Sequence, residues 1–229
     1  MEQYNLEGPP LLVDLPTPSQ LSPAKFKERL EQGALVLDTR SPSAFGGCHI
    51  KGSFSLWIEG LPGYAGWMLS YEKPILLILG NTKQLKTIVP YLVRLGYDQI
   101  EGYLCAGAES CGLESWYTSA HPIGNLGLLS VQELKERLGS MDNLTVLDVR
   151  TDEEWSKGHI KDALHIFVGH LEERLGMVPV DKPVAAICSV GNRGSLAASI
   201  LLRAGRREVY NVLGGMTAWQ KADYPIISR

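Results

Sequence analysis

The chain contains the same series of motifs twice, about 110 residues apart. Val36–Arg40 (VLDTR) is matched by Val146–Arg150 (VLDVR), and His49–Lys51 (HIK) recurs as His159–Lys161. Similarity at a fixed interval indicates a repeated structural unit. Because this interval is too long for a solenoid repeat and close to the size of a small domain, we predict two homologous domains.

Changes in composition mark where each unit begins and ends. The proline-rich residues 1–20 are predicted to form an extended lead-in. The first domain then spans residues 21–119, and the second spans residues 126–229. Between them, Ser119–Asn125 combines Pro, Gly and polar residues, which interrupt the periodic pattern and are typical of a linker.

Both halves alternate short apolar runs with segments of helical periodicity. In the second half, Val146–Val149, Val184–Ile187 and Val209–Leu213 have the length and composition of buried strands. Helical patterns lie between them, and the capping box Ser130–Glu133 begins one before the first strand. This alternation favours an α/β fold with a mainly parallel sheet, whose ligands bind at the carboxyl ends of the strands.

The composition is that of an ordinary globular protein, with 45% hydrophobic and 21% charged residues. A net charge of −3 predicts neither nucleic acid nor an anionic membrane as a partner. No apolar run approaches the roughly 20 residues of a membrane-spanning helix, and the first residues show no signal-peptide pattern. Four cysteines are too few for a disulfide scaffold. We therefore expect a cytoplasmic, reduced protein.

Cys188 is the strongest candidate for a reactive residue. It follows the predicted strand Val184–Ile187 and precedes a predicted helix over Gly194–Ala204. The first N–H groups of a helix have no partner within it, and together with the helix dipole they favour an anion. We therefore expect this thiol to lose its proton more readily than an ordinary cysteine.

Four motifs of the second half occur in an order that resembles the rhodanese superfamily. They are Leu147–Arg150 (LDVR), Gly158–Ile160 (GHI), Cys188–Arg193 (CSVGNR) and Gly214–Trp219 (GGMTAW). The resemblance implies that each half of the chain is a rhodanese-like domain with a mainly parallel, five-stranded sheet flanked by helices. It also implies that residues 188–193, which we term the cysteine loop, form the active site.

The first half resembles a rhodanese domain through Leu37–Arg40 and His49–Ile50 but differs at the reactive position. When the two halves are aligned, Leu79 stands where the second half has Cys188, and Gln84 stands in place of Arg193. We therefore predict that the first domain is catalytically silent.

Two further segments, Tyr4–Pro10 and Gly66–Leu69, resemble a narrower group. They are similar to the C-terminal tandem rhodanese tail of fusion proteins whose N-terminal part is a metallo-β-lactamase-fold persulfide dioxygenase. The present sequence has no His-x-His-x-Asp-His run and suggests no metal site or cofactor. We expect a free-standing relative or a fragment of such a tail, with a persulfide dioxygenase or another sulfur-carrier protein as a possible partner.

The family resemblance implies a sulfurtransferase that takes sulfane sulfur from thiosulfate or a low-molecular-weight persulfide. Cys188 would carry the sulfur as a persulfide and pass it to a thiol, sulfite or cyanide, in two displacement steps. Arg193 would orient an anionic donor or brace the loop, and Asp148 and Arg150 would support the end of the sheet. The predicted substrate-binding residues are Ser189, Val190, Gly191, Asn192 and Gly194.

Three alternatives remain open at this stage. Cysteine phosphatases use a similar loop with five residues between Cys and Arg, whereas four separate Cys188 from Arg193 here. The shorter loop suits one sulfur atom better than a phosphate, and arsenate reduction is a related possibility. The third alternative is a non-catalytic module that binds sulfur, regulates or docks a protein, a role that we expect for the first domain.

Overall fold

The computed structural model describes residues 14–104, 113–140 and 143–228, which form two α/β domains. The predicted lead-in lies mostly outside the described residues, except for a final segment whose last two residues form the first strand. The first domain consists, in chain order, of β1 (Ser19–Gln20), α1 (Pro23–Glu31), β2 (Leu35–Asp38), α2 (Pro42–Gly47), β3 (Phe54–Ser55), α3 (Leu61–Met68), β4 (Ile75–Ile78), α4 (Leu85–Arg94), β5 (Ile100–Leu104) and α5 (Glu114–Thr118).

The second domain follows the same plan. It consists of β6 (Gly127–Leu129), α6 (Val131–Gly139), β7 (Thr145–Asp148), α7 (Asp152–Ser156), β8 (Leu164–His165), β9 (Val184–Ile187), α8 (Asn192–Arg203), β10 (Val209–Val212) and α9 (Gly215–Lys221). Among the described residues, four short 3-10 turns connect these elements: Ile58–Gly60, Thr82–Gln84, Val168–His170 and Leu175–Met177.

Each domain has a five-stranded sheet in which all neighbouring strands are parallel. The strand orders are β1-β5-β4-β2-β3 and β6-β10-β9-β7-β8, so the two sheets share one topology. The predicted fold class is confirmed. In the second sheet, Asp148 is in register with Ile187, and Asn211 with Ala186. The carboxyl ends of β7, β9 and β10 therefore meet at one edge, where Cys188 follows β9.

Local signals in the sequence account for several helix ends. Ser130 and Glu133 form the predicted capping box at the start of α6, with each side chain bound to the other's backbone N–H. The helix predicted from Gly194 begins two residues earlier, at Asn192, because Gly191 adopts a φ of 110°. That left-handed conformation favours glycine and turns the chain directly from the cysteine loop into the helix.

The two domains share one apolar core. A single cluster of buried side chains includes Leu37 and Ile88 of the first domain and Leu147 and Ile200 of the second. Helix α8 lies within it and is buried over eight consecutive residues, 194–201. Burial over so many consecutive residues requires neighbours on several sides, and α8 packs against its own sheet and against β3 of the first domain. Each sheet has a separate cluster on its opposite face.

Candidate active site

The Cys188 thiol lies at the bottom of the cysteine loop. The residue is 1% exposed, and the backbone N–H of Gly191 donates a hydrogen bond to its Sγ atom at 3.1 Å. The loop continues into α8, a helix of 12 residues whose first N–H groups have no partner within the helix. A helix of this length directs a partial positive charge towards its N-terminus, and Cys188 lies beside that end.

Arg193 and Glu154 form an ion pair that joins the cysteine loop to α7. Arg193 Nη1 donates to Glu154 Oε2 at 2.6 Å, and Arg193 Nη2 donates to Glu154 Oε1 at 2.7 Å. Ser189 completes the network, since its hydroxyl donates to Glu154 Oε1 at 2.7 Å and accepts from Arg193 Nη2 at 2.6 Å. The first and last parts of the loop are thus bound to one carboxylate.

These contacts set the protonation states within the network. Hydrogen bonds from Arg193 hold the pKa of Glu154 well below its ordinary value against the opposing effect of burial, with smaller contributions from Ser189 and the Thr151 N–H. The bond to Glu154 in turn raises the pKa of Arg193 above its ordinary value, again against burial. The pair is therefore fully ionised at neutral pH.

Glu154 was not among the site residues predicted from the sequence. It is held in place by a capping box at the start of α7, in which Thr151 N donates to Glu154 Oε2 at 3.1 Å and Glu154 N donates to Thr151 Oγ1 at 3.3 Å. The Thr-x-x-Glu pattern was visible in the sequence and predicts the helix start. It does not predict that the same carboxylate also binds Arg193, 39 residues later.

The start of α9 packs directly on the backbone of the cysteine loop. Met216 N donates to the Cys188 carbonyl at 2.7 Å, and Thr217 N donates to the Ser189 carbonyl at 3.0 Å. Gly215 makes this approach possible, because a Cβ atom there would lie 2.1 Å from the Cys188 carbonyl oxygen. Its φ of 51° is also a conformation that favours glycine. The second glycine of the GGMTAW motif thus serves close packing on the loop.

Asp148 and Arg150 form a buried pair at the end of β7. Arg150 Nε donates to Asp148 Oδ1 at 2.9 Å, Arg150 Nη2 donates to Asp148 Oδ2 at 2.6 Å, and the same Nη2 donates to the Gly158 carbonyl at 2.8 Å. All of these partners lie between residues 148 and 158. The pair therefore braces the connection from β7 through α7, the helix that carries Glu154.

Asn211 on β10 lies beneath the cysteine loop and was also missed by sequence reasoning. Its side chain is fully buried, and neither its Nδ2 nor its Oδ1 has a hydrogen-bond partner among the described residues. Gly194 packs against it so closely that a Cβ atom there would lie 2.4 Å from Asn211 Oδ1. A polar residue within an apolar strand was the available signal in the sequence.

The matching loop of the first domain, residues 79–84, is closed by its own side chain. Gln84 Oε1 accepts hydrogen bonds from the N–H groups of Gly80 and Asn81, each at 3.0 Å. Leu79 is fully buried where the second domain has Cys188. Ala44 stands at the position that matches Glu154. The first domain therefore lacks the thiol and the ion pair. Two of the N–H groups in its loop already donate to the uncharged side-chain oxygen of Gln84.

The remaining thiols lie away from this geometry or outside the described residues. Cys48 is a free, half-buried cysteine that follows α2. Cys105 and Cys111 fall in a segment that the structure does not describe. Over residues 14–104, 113–140 and 143–228, no cluster of three or more His, Cys, Asp or Glu side chains is arranged to hold a metal ion. In the same ranges, no helix is long and apolar enough to cross a membrane.

Two α/β domains of one topology, the second of which has a cysteine loop between strand and helix, are the class that this fold and site define. The family model for the rhodanese-like domain matches residues 22–105 and 130–222. The chain therefore belongs to the rhodanese-like family, and the predicted recognition is confirmed at that level. The resemblance to the tail of persulfide dioxygenase fusions stays a prediction.

Individual relatives align with less than half of the chain. A sulfurtransferase of Allochromatium vinosum is 31% identical over 97 residues, 42% of this chain and 91% of that protein. A thiosulfate sulfurtransferase of Coxiella burnetii is 32% identical over 83 residues, 36% of this chain and 77% of that protein. A Bacillus subtilis relative matches at 34% identity over 91 residues, and the chain spans only 49% of its length.

Proposed function

We propose that this protein is a sulfurtransferase in which Cys188 carries sulfane sulfur as a persulfide. The observation that carries the proposal is the position of the Cys188 Sγ atom under the Gly191 N–H, at the start of α8. The Gly191 N–H and the N-terminus of α8 together suit a single anionic sulfur atom. The same activity is supported by the names of two of the relatives, the sulfurtransferase of Allochromatium vinosum and the thiosulfate sulfurtransferase of Coxiella burnetii.

The first step is an attack by the Cys188 thiolate on the sulfane sulfur of the donor. A new S–S bond forms at Cys188, and the donor's own bond to that sulfur breaks. The leaving group departs with the bonding electron pair, as sulfite from thiosulfate or as a thiolate from a low-molecular-weight persulfide. The enzyme is left with a persulfide anion, whose terminal sulfur the loop N–H groups and the helix dipole stabilise.

The second step returns the enzyme to its starting state. An acceptor, which is a thiolate, sulfite or cyanide, attacks the terminal sulfur of the persulfide. The S–S bond at Cys188 breaks, its electron pair returns to Cys188 as a thiolate, and the acceptor leaves with the sulfur. Dividing the transfer into two displacements is covalent catalysis, and no external oxidant or reductant is needed.

Within this proposal Arg193 acts by holding the loop. Two of its nitrogens donate to Glu154, and one of them also donates to Ser189. The hydrogen bonds of these nitrogens are therefore made within the protein and not to a substrate. The remaining loop residues contribute N–H groups, and Asp148 with Arg150 holds the segment that carries α7. Small sulfur donors and acceptors are the proposed partners, and the free thiols of Cys48 and Cys188 suit a reducing compartment such as the cytoplasm.

The same hydrogen bonds of Arg193 argue against a phosphatase. A cysteine phosphatase needs the loop arginine to bind two oxygens of the phosphate, which here would require breaking a partly buried, charged hydrogen-bond network. The loop is also one residue shorter than that of the phosphatases. We therefore expect no turnover of phosphate monoesters.

Steady-state assays with cyanide as the acceptor test the proposal. Purified protein is supplied with thiosulfate or with glutathione persulfide, and thiocyanate formation is measured. We expect turnover with at least one donor and none in the Cys188→Ser variant. Absence of turnover with both donors in folded wild-type protein would contradict the proposal. Hydrolysis of p-nitrophenyl phosphate that depends on Cys188 would instead favour the phosphatase.

A further inference from the structure

Three polar residues of α8 lie at intervals of four and so share one face of the helix. They are Ser195, Ser199 and Arg203. The two serines are almost completely buried, at 0% and 1% exposure, within a helix that is otherwise apolar at its centre. A buried hydroxyl needs a hydrogen-bond partner. The Ser199 hydroxyl donates to the Leu196 carbonyl of the same helix at 2.7 Å, and the other partners of this face come from the silent first domain.

Strand β3 and the turn just before it contact α8 at three positions along the helix. The hydroxyls of Ser55 and Ser195 are joined by a hydrogen bond of 2.7 Å, and the Ser55 backbone N–H donates to Ser199 Oγ at 3.1 Å. The C-terminal end of α8 is held separately, because Arg203 lies over the Phe54 ring at 3.9 Å and donates to the Gly52 carbonyl. We term this set of contacts the α8 clamp.

The clamp is not repeated in the other half of the molecule. The residues that match Ser195 and Ser199 in the first domain are Lys86, which is exposed, and Pro90. The residue that matches Ser55 in the second domain is His165, whose ring stacks on Trp155 within its own domain. The duplication alone therefore does not explain the clamp, and it is found on the helix that follows the reactive thiol in the chain.

A continuous series of hydrogen bonds connects the clamp to the thiol. Ser55 binds the Ser195 hydroxyl, the Ser195 backbone N–H donates to the Gly191 carbonyl at 2.9 Å, and the Gly191 N–H donates to Cys188 Sγ at 3.1 Å. Each bond fixes the group that makes the next. A shift of the first turn of α8 would therefore change the direction of the N–H that faces the sulfur.

We propose that Ser55 of the silent domain is a positioning residue for Cys188, which acts through Ser195 and Gly191. The proposal rests on the proposed sulfurtransferase function and assigns the first domain a task in it. The silent domain is then part of the catalytic unit, since its strand β3 sets the position of the helix N-terminus that stabilises negative charge on the sulfur.

The test compares Ser55→Ala, Ser195→Ala and the double variant with a matched control. Ser53→Ala is that control, because the Ser53 hydroxyl is equally buried but donates to the Ile50 carbonyl within the first domain, at 2.7 Å. Two properties are measured for each protein. They are the rate of Cys188 alkylation by iodoacetamide between pH 5 and 9, followed on the Cys188 peptide by mass spectrometry, and the kcat and KM of sulfur transfer.

We expect Ser55→Ala to slow alkylation at neutral pH by roughly two- to tenfold, the factor that one buried hydrogen bond supplies, and to move the midpoint of the pH–rate profile to higher pH. The kcat for transfer should fall by a similar factor with little change in KM. The double variant should lose no more alkylation rate and kcat than the more impaired of the two single variants, because both substitutions break the same hydrogen bond. Ser53→Ala should lower the midpoint of thermal unfolding without moving the pH–rate profile.

Two results would overturn the proposal. One is a wild-type pH–rate profile and kcat in folded Ser55→Ala, and the other is an equal change in Ser53→Ala. If Ser55→Ala does not fold, Ser195→Ala breaks the same bond from the helix and carries the same expectation. Alkylation needs no sulfur donor. A wild-type protein that transfers no sulfur would therefore refute the proposed function, while the alkylation profiles would still decide the role of Ser55.

Discussion

Arg193 and Glu154 are joined by two hydrogen bonds of 2.6 and 2.7 Å between a loop arginine and a carboxylate of a neighbouring helix. The pair connects the cysteine loop to α7, and Ser189 is bound to both partners. Arg193 is therefore better described as a brace of the loop than as a free cation waiting for a donor.

Breaking the ion pair should lower sulfur transfer even when the charge of Arg193 is kept. Arg193→Lys retains the positive charge but loses the planar fork that binds both oxygens of Glu154. Hydrogen bonds to charged groups are worth about 1.5–3 kcal/mol, so kcat/KM should fall roughly ten- to a hundredfold. Glu154→Gln should have a similar effect. Wild-type kcat/KM in a folded Arg193→Lys protein would show that the brace is dispensable.

The same pair makes stability depend on pH in a defined direction. Because Arg193 depresses the pKa of Glu154 in the folded state, the pair stabilises the fold above the ordinary glutamate pKa of about 4.3 and loses that effect as pH falls further. Urea unfolding should show a constant difference in stability between wild type and Glu154→Gln from pH 7 to 5. The difference should shrink below about pH 4.3. A difference that grows on acidification would contradict the assignment.

Gly215 should tolerate no side chain, because α9 packs directly on the loop. An alanine Cβ would collide with the Cys188 carbonyl at 2.1 Å and would sit at a positive φ. We expect Gly215→Ala to lose about 2–5 kcal/mol of unfolding free energy together with sulfur transfer. Gly139→Ala is the control, since nothing lies within 4 Å of its added Cβ. Equal stability of the two variants in thermal unfolding would be evidence against this packing.

A thiol alone should not restore chemistry to the first domain. In a Cys188→Ser background, Leu79→Cys places a thiol at the matching position. The Gln84 side chain, however, still occupies the N–H groups of Gly80 and Asn81. We expect no thiocyanate formation from thiosulfate and cyanide, as in Cys188→Ser alone. Turnover by the double variant would show that the loop of residues 79–84 can support sulfur transfer. The first domain would then be inactive only because it lacks the thiol.

The fold was largely predictable because its signals are local. The repeat, the short apolar strands and the capping box at Ser130 indicated two parallel α/β domains, and the strand order is the same in both. The way the domains pack was not predictable from those signals. Helix α8 is buried on the side that faces β3 by residues more than a hundred positions away, such as Ser55.

The site residues that are close to Cys188 in the sequence could be predicted, whereas those that are distant in the sequence could not. Cys188, Gly191 and Arg193 lie within one loop, so the sequence was sufficient to propose them. Glu154 and Asn211 reach that loop only through the tertiary structure. A glutamate in a capping box and an asparagine in a strand have ordinary local explanations, and nothing in the sequence ties them to a thiol.

The most direct test of the account is the intact mass of the protein after exposure to a sulfane-sulfur donor. Wild-type protein is incubated with thiosulfate or glutathione persulfide, desalted and measured before and after the addition of cyanide. The account predicts a gain of one sulfur atom that cyanide removes, and no such gain in Cys188→Ser. A cyanide-labile sulfur that persists in Cys188→Ser, or its absence from wild-type protein with both donors, would contradict the claim that Cys188 is the persulfide carrier.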